Sequence, residues 1–241
     1  MGRDTVDKPA GAGDATQRQL EEMHKRVAQP DLLGPATDRE LSEMKHRLIV
    51  DGASSVLFEK GFHRTSIRDI ASACGMSMGQ LYHYISSKDD LLYLMHRRMQ
   101  ERWLQHLADA GFEQITDPVA RLEHGLRSSM SFLSQNRELL LFLYTETKYL
   151  DREHLRQVLD LDDQNVVGFY RHLLSEIPEI GLEERESDLA ANLVAFMGVF
   201  LALRGWNLDL KNAAAVEAAM DFQVDFTFRA LGIERKTGCA C

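Results

Sequence analysis

The chain has 241 residues, 28 Lys plus Arg against 37 Asp plus Glu, a net charge of -9 and 44% hydrophobic residues, the profile of a globular protein of one or two domains. Its longest uninterrupted apolar run, 193–203, holds 11 residues against the about 20 a membrane-spanning helix needs, so no membrane partner is expected. The N-terminus is acidic where a secretory signal would be apolar, and Cys74, Cys239 and Cys241 are too few for a disulfide framework, which together point to the cytoplasm.

Charge is unevenly spread. Residues 41–103 carry 9 basic and 7 acidic residues, whereas 104–241 carry 13 and 22. A weakly basic segment in an acidic chain suits a face that meets a polyanion.

In chain order, residues 1–40 hold Pro9, Pro30, Pro35 and several glycines around a polar stretch, 16–28, that suits a short solvated helix. This segment is expected to be a flexible extension. From Leu41, residues Leu48, Ile49, Gly52, Ala53, Val56 and Leu57 form one apolar stripe at helical spacing. Three helix starts follow, each pairing a hydroxyl with a carboxylate or amide three residues on: Ser66 with Asp69, Ser77 with Gln80, and Ser87 with Asp90. Gly75 lies between the first two, where it can take the left-handed conformation that ends a helix. The third start opens a long helix over 88–108. Asp117-Pro118 sets another cap, and further helices are expected over 138–149, 154–176, 183–208 and 213–231. No stretch alternates as a strand would, so the fold is predicted to be all-α with about nine helices.

Residues 65–88 read as a helix-turn-helix. Ile67, Ile70, Ala71, Met76, Leu81 and Ile85 face inward, leaving Met78, Gly79, Gln80, His83 and Tyr84 on the outer face of the second helix. Such a helix can enter a major groove, with Gln80 suited to an adenine edge, Arg68 to a guanine, and Gly79 to close backbone approach. Thr65, Tyr82, His83, Tyr84 and Lys88 offer donors for phosphates. With Ser77 at the cap, the expected DNA-binding set is Thr65, Arg68, Ser77, Met78, Gly79, Gln80, Tyr82, His83, Tyr84 and Lys88. The alternative is a plain αα-hairpin in which Tyr82 and Tyr84 only pack.

These residues resemble the N-terminal domain of the TetR/AcrR family of transcriptional repressors, whose pattern runs Thr, Ile-Ala, Gly-Val-Ser, then Leu-Tyr-x-Tyr-Phe-x-Ser-Lys and a long leucine-rich helix. The likeness spans 45–95, with Cys74, Met76 and Ile85 as apolar departures. It implies a DNA-binding head, 41–95, on a ligand-binding and dimerisation body, 96–235, with a frayed tail at 236–241. It also implies a homodimer on a palindromic DNA operator, with recognition helices about 34 Å apart. Family correspondence puts Thr65, Tyr82, Tyr84 and Lys88 on phosphates and Arg68, Met78, Gly79 and Gln80 near bases.

Within the body, Phe132, Phe142, Glu146, Tyr149, Phe169, Tyr170, Phe196, Phe200 and Arg204 are the candidate ligand-binding residues. For each of them core packing, or an ion pair for the two charged ones, is the competing role. The helix over 183–208 is apolar almost all round, one side suited to a pocket and the other to a partner subunit. The small-molecule effector is expected to be an acyl thioester, since 143–150 and 203–206 resemble members that sense such compounds; a cationic amphiphile held by Glu146 and aromatics is the alternative. A helical interaction module without DNA binding is the second class of function.

Gly75-Met76-Ser77-Met78-Gly79 matches the hydrolase nucleophile elbow, but that turn follows a strand, and here a helix precedes it. Neither catalysis, nor a cofactor, nor a metal site is expected; Cys239 and Cys241 lack the spacing of a zinc pattern.

Overall fold

The computed structural model describes residues 12–28, 34–35, 37–208 and 212–234. Among them the chain forms eleven α-helices: α1 Ala12–Ala28, α2 Arg39–Lys60, α3 Ile67–Ala73, α4 Met78–Tyr82, α5 Lys88–Asp109, α6 Pro118–Gln135, α7 Arg137–Glu146, α8 Arg152–Asp162, α9 Gly168–Ser175, α10 Glu184–Arg204 and α11 Ala213–Ala230. The all-α expectation holds, and no strand occurs among the described residues. The stretch expected as one helix over 154–176 is divided into α8 and α9 by a π-helical segment, Asp163–Val167.

The helices begin where side chains can satisfy the backbone N–H groups of a first turn. Ser66, Ser77 and Ser87 each close a reciprocal capping box, with Asp69, Gln80 and Asp90. Asp38, Asp117, Asp151 and Asn212 cap α2, α6, α8 and α11. Gly75 sits at φ 64 between α3 and α4, a left-handed conformation that side-chain-bearing residues adopt at a cost.

α2, α3 and α4 pack with the start of α5 as a small head. Ile49, Ala53, Leu57, Ile70, Leu81 and Ile85 are fully enclosed there. Arg97 of α5 is buried against Glu43 of α2, and Arg47 of α2 reaches Glu101 of α5. α5 continues out of the head as the first helix of the body, where it packs on α6, α7 and α8. Phe112, Phe169, Trp103 and Tyr170 form an aromatic cluster at the body's centre, with neighbouring centroids 5.2 Å apart.

α10 packs on α6 and α9 through Ala191, Val194, Gly198, Leu201 and Ala202. Its opposite face leaves Leu189, Leu193 and Phe196 exposed, so only one of the two sides expected to be covered is covered by this chain. The stretch Glu184–Asn207 has 24 residues and contains an 18-residue window of mean hydropathy 1.6, long and apolar enough by length and composition alone to cross a bilayer. The exclusion drawn from the uninterrupted run is therefore too strict: Asn192 breaks the run without breaking the helix.

Residues 1–40 differ most from expectation. Residues 1–11, 29–33 and 36 lie outside the described set, as does the tail 236–241. The helix over 12–28 is not a solvated extension. Thr16, Leu20, Met23 and Val27 line one face at helical spacing, and all four are buried, against α5, α9 and the turn after α5. Four such positions scattered among charges build no core alone, but they suffice to dock a helix on one already formed.

Replacing Met23, which is wholly enclosed, with Ala is expected to lower the unfolding free energy by about 2–5 kcal/mol. The exposed neighbour change Gln17→Ala should leave it unaltered. Urea denaturation of the two variants is the measurement; equal effects would mean that α1 does not contribute to the fold.

Candidate nucleic-acid interface and ligand cavity

The head presents its second short helix outward. Arg68, Met78, Gly79, Gln80, Tyr82 and His83 are exposed, while Ile70, Ala71, Leu81 and Ile85 beneath them are buried. Other expected contacts are engaged within the protein. Thr65 is buried and donates from Oγ1 to the Gly61 carbonyl at 2.8 Å. Lys88 donates from Nζ to the carbonyls of Phe62 and Thr65 at 2.9 and 3.0 Å, and lies 4.7 Å from the centre of the Phe62 ring. Both residues thus secure the loop between α2 and α3. Tyr84 is half-buried, its ring 5.0 Å from that of His83. Ser77 and Gln80 face solvent, yet their side chains close the cap of α4: Ser77 N–H donates to Gln80 Oε1 at 2.8 Å, and Gln80 N–H donates to Ser77 Oγ at 3.2 Å. The cap uses the Oε1 of Gln80 and leaves its amide N–H groups out. Ser77 follows helix α3 and not a strand, so the elbow geometry of a nucleophile is missing here.

Asp69 does two tasks. It caps α3 and pairs with Lys60 at 2.8 Å, and that ammonium, with the Ser66 hydroxyl and N–H, holds the carboxyl well below the usual carboxylate range. The pairing keeps the start of the helix-turn-helix against the end of α2.

Below the head, the body holds a partly open cavity of about 460 Å³. α5 supplies His96, Met99, Gln100 and Trp103 to its wall, α6 supplies Ser129 and Phe132, and Tyr170, Phe196 and Asp162 close other sides. Trp103 Nε1–H and the Tyr170 hydroxyl both donate to Ser129 Oγ, at 3.0 and 2.8 Å, fixing one polar corner. Burial pushes the Tyr170 hydroxyl up to about 12, so it stays protonated. Burial likewise holds the His96 ring down to about 4; it is neutral and paired with the Thr147 hydroxyl at 2.7 Å. Asp162 is the sole formally charged residue in the wall at neutral pH, and it has no hydrogen-bond or ion-pair partner among the described residues. The side chain is open to solvent, but the protein crowded around it first, and the adjacent Asp163 second, raise its carboxyl above the ordinary value.

Of the nine ligand-binding residues expected from sequence, the structure brings Phe132, Tyr170 and Phe196 to this cavity. The other six lie elsewhere. Phe169 is in the aromatic core, 5.2 Å from the Trp103 ring. Phe142 and Tyr149 form the joint with the head, against Phe58 at 5.3 Å and His63 at 4.0 Å. Glu146 and Phe200 are half-buried away from the wall, and Arg204 is exposed over the Trp206 ring at 5.6 Å. Sequence reading favoured aromatics on the later helices and missed the row His96, Met99, Gln100 and Trp103. Their spacing of three, one and three marks a single face of α5. Asp162 carried no signal, because α8 is charged along most of its length.

The chain thus sets a helix-turn-helix head, through one long helix, on a helical body with a cavity. Residues 49–93 match the model of bacterial regulatory proteins, tetR family, so the likeness to that family is carried by the helix-turn-helix head. The chain is 30% identical over 116 residues to the HTH-type transcriptional regulator HbdR of Aromatoleum sp. (strain CIB), a match covering 48% of this chain and 49% of the relative. The alignment thus spans about half the length of that relative. Among solved structures, the TetR family regulator PfmR from Thermus thermophilus aligns with a TM-score of 0.59 at 25% identity, covering 78% of this chain and 99% of PfmR. AibR, in complex with isovaleryl coenzyme A and operator DNA, aligns with a TM-score of 0.60 at 20% identity, covering 76% of this chain and 97% of AibR, and shares the fold.

The two kinds of head residue separate by experiment. Arg68→Ala should weaken operator binding by about 1–3 kcal/mol, the worth of a bidentate base contact, with no change in melting temperature. Lys88→Ala should lower the melting temperature, because two carbonyls lose their donor. Fluorescence anisotropy on operator DNA and thermal melting read the two effects; an unchanged melting temperature for Lys88→Ala would return that residue to the DNA-contacting set.

Proposed function

We propose that the protein is a ligand-responsive transcriptional repressor. It binds a palindromic operator as a homodimer in the cytoplasm and leaves it when a small molecule fills the body cavity. One observation carries the reading: α5 starts at the last capping box of the head and, two to four turns on, lines the cavity with His96, Met99, Gln100 and Trp103. A helix has no soft point along such a stretch, so an occupant that shifts α5 shifts the head. The ligand acts to the extent that it binds the shifted state more tightly.

Dimerisation is supported by the open face of α10 and α11. Leu193 is 67% exposed and Phe222 70%, and the Phe222 and Phe226 rings stack at 6.3 Å on the surface. A contiguous apolar face of this kind suits a second copy of the chain. Leu193→Glu is expected to yield a folded monomer by sedimentation velocity, with operator affinity reduced at least tenfold; a dimer of unchanged affinity would move the interface elsewhere.

The wall chemistry narrows the ligand. It holds no Lys or Arg, its histidine is neutral, and its one charge is Asp162. An apolar body with a cationic or hydrogen-bond-donating group facing Asp162 suits this wall, and a free carboxylate does not. An acyl thioester fits only with its acyl end inside and its phosphates out. Binding of rhodamine 6G, followed through Trp103 emission, is expected to weaken about tenfold in Asp162→Asn, one such step being about 1.4 kcal/mol. Isovaleryl coenzyme A should be indifferent to the same change. The companion gel shift on DNA flanking the protein's own gene should show a band that one of the two compounds removes. A band that neither removes would refute both ligand classes.

A further inference from the structure

One polar side chain of the cavity wall is held so that the two ends of its amide cannot exchange places. Arg26 Nε–H of α1 donates to Asn165 Oδ1 at 2.8 Å, and Asn165 Nδ2–H donates to Gln100 Oε1 at 2.7 Å. An amide can be turned end for end with little change in shape, but an arginine donates and never accepts. The Asn165 atom beside Arg26 must therefore be its oxygen. Its nitrogen then faces Gln100, and the Gln100 atom that meets it must again be the oxygen. The direction set at Arg26 passes through two amides and leaves Gln100 Nε2 turned away from the relay.

That nitrogen meets the cavity. Gln100 lies on α5, is 9% exposed and forms part of the cavity wall, and Asn165 behind it is fully enclosed. Gln100 Nε2 has no hydrogen-bond partner among the described residues, and it is not one of the side-chain atoms that the protein seals off. For a side chain so deeply buried in that wall, the space left to its N–H groups is the cavity.

Neighbouring donors are already spent. Trp103 Nε1–H and the Tyr170 hydroxyl go to Ser129 Oγ. The Thr147 hydroxyl donates to the Leu143 carbonyl at 2.6 Å, so Thr147 Oγ1 accepts from His96 Nε2–H. The His96 ring is neutral and uses its single N–H there. Gln100 thus offers two N–H groups to a largely apolar interior, where an acceptor that finds no donor loses its water without replacement. With Asp162 in the same wall and no Lys or Arg, the acceptor that suits these N–H groups is uncharged.

We propose that Gln100 is a specificity-determining residue of the cavity, and that its amide N–H groups bind the carbonyl oxygen of an uncharged acyl or keto group on the ligand. The proposal rests on the reading of the cavity as a ligand site and names the chemistry at its α5 wall. A ligand of this class places its carbonyl at Gln100, its alkyl or aryl body among Met99, Phe132 and Phe196, and any donor toward Asp162. Arg26 and Asn165 lie behind the wall and are positioning residues, because they decide which end of the Gln100 amide faces inward.

Octan-2-one accepts a hydrogen bond and cannot donate one; 1-chlorooctane is of similar size and has no carbonyl. Binding of both to the full-length chain is followed through Trp103 emission, with rhodamine 6G as a probe of the cavity itself. Asn165→Asp keeps the size of the side chain and stays ionised beside Arg26, but has no N–H to give. Gln100 must then reverse and turn its Oε1 into the cavity. Octan-2-one affinity is expected to fall about tenfold in this variant, the loss of one hydrogen bond, while 1-chlorooctane binds as before. Gln100→Met, of similar length and without a donor, should show the same selective loss, and it decides the matter alone if Asn165→Asp fails to fold. Equal octan-2-one affinity in the native chain and a folded variant would overturn the proposal, and so would an equal loss for both compounds, which marks a structural effect. Rhodamine 6G binding without octan-2-one binding also overturns it and leaves the cavity reading in place. Failure of all three compounds to bind overturns both.

Discussion

The arrangement of head on body depends on one carboxylate. Asp90 is 4% exposed and accepts the backbone N–H groups of Ser86 and Ser87, at 2.6 and 3.3 Å, and the Ser87 hydroxyl at 2.9 Å. It starts α5, and so fixes where the head ends. Its Oδ1 also lies 3.0 Å from Nε2 of His154 on α8, whose Nδ1 is 2.8 Å from Asp151. Burial works against a charged imidazole there, but the hydrogen bonds and charges of Asp151 and Asp90 outweigh it and raise the ring's pKa. A protonated His154 donates from both nitrogens, which ties the start of α8 to the start of α5 at the boundary of head and body. Asp89, Asp151 and His154 bring their ligand atoms within 4.8 Å of one another; both histidine nitrogens lie against carboxylates, of Asp90 and Asp151.

The same logic explains what the amino-acid sequence discloses. A helix start is a local event: three residues decide it, and their types are visible at fixed spacing. The three capping boxes, the left-handed Gly75 and the proline after Asp117 could all be read because each is satisfied within one turn of chain. The buried face of α1 was not read, although Thr16, Leu20, Met23 and Val27 stand in plain helical register. Their partners come from α5, α9 and the turn after α5, a hundred or more residues away in several cases, and local composition is dominated by the charges on the opposite face. Polar residues that look solvated in sequence become buried when a distant Arg121 and Glu176 complete their bonds.

The candidate sites divide along the same line. Exposure of Met78, Gly79, Gln80 and His83 follows from helix phase, and sequence placed them on the outer face; Tyr84, placed there too, is half-buried. Thr65 and Lys88 were offered to phosphates as donors and by family likeness alike, yet their donors are committed to carbonyls of the α2–α3 loop. A residue kept in a pattern can be kept for shape; here the ammonium of Lys88 does for that loop what a cap does for a helix. The cavity was legible only as a class of residue. Aromatics were expected to line it, but a cavity is defined by what helices fail to fill, and Phe142, Phe169 and Tyr149 found partners in Phe58, Trp103 and His63.

Gln100 joins the cavity wall to a polar relay that ends on α1. It belongs to the helix that carries the head, it forms part of the cavity wall, and it receives the bond from Asn165. Asn165 itself can reach both Gln100 and Arg26 because the chain between α8 and α9 widens into a π-helix, which accommodates an extra residue per turn and redirects the side chains inside it. An α-helical continuation would place position 165 in a different phase and break the relay at its centre. The irregularity that divides the expected single helix over 154–176 is therefore the feature that brings a residue of the body wall into contact with the N-terminal helix. The interior of a helical body transmits strain through such discrete bonds more sharply than through packing alone, because each bond is either made or lost.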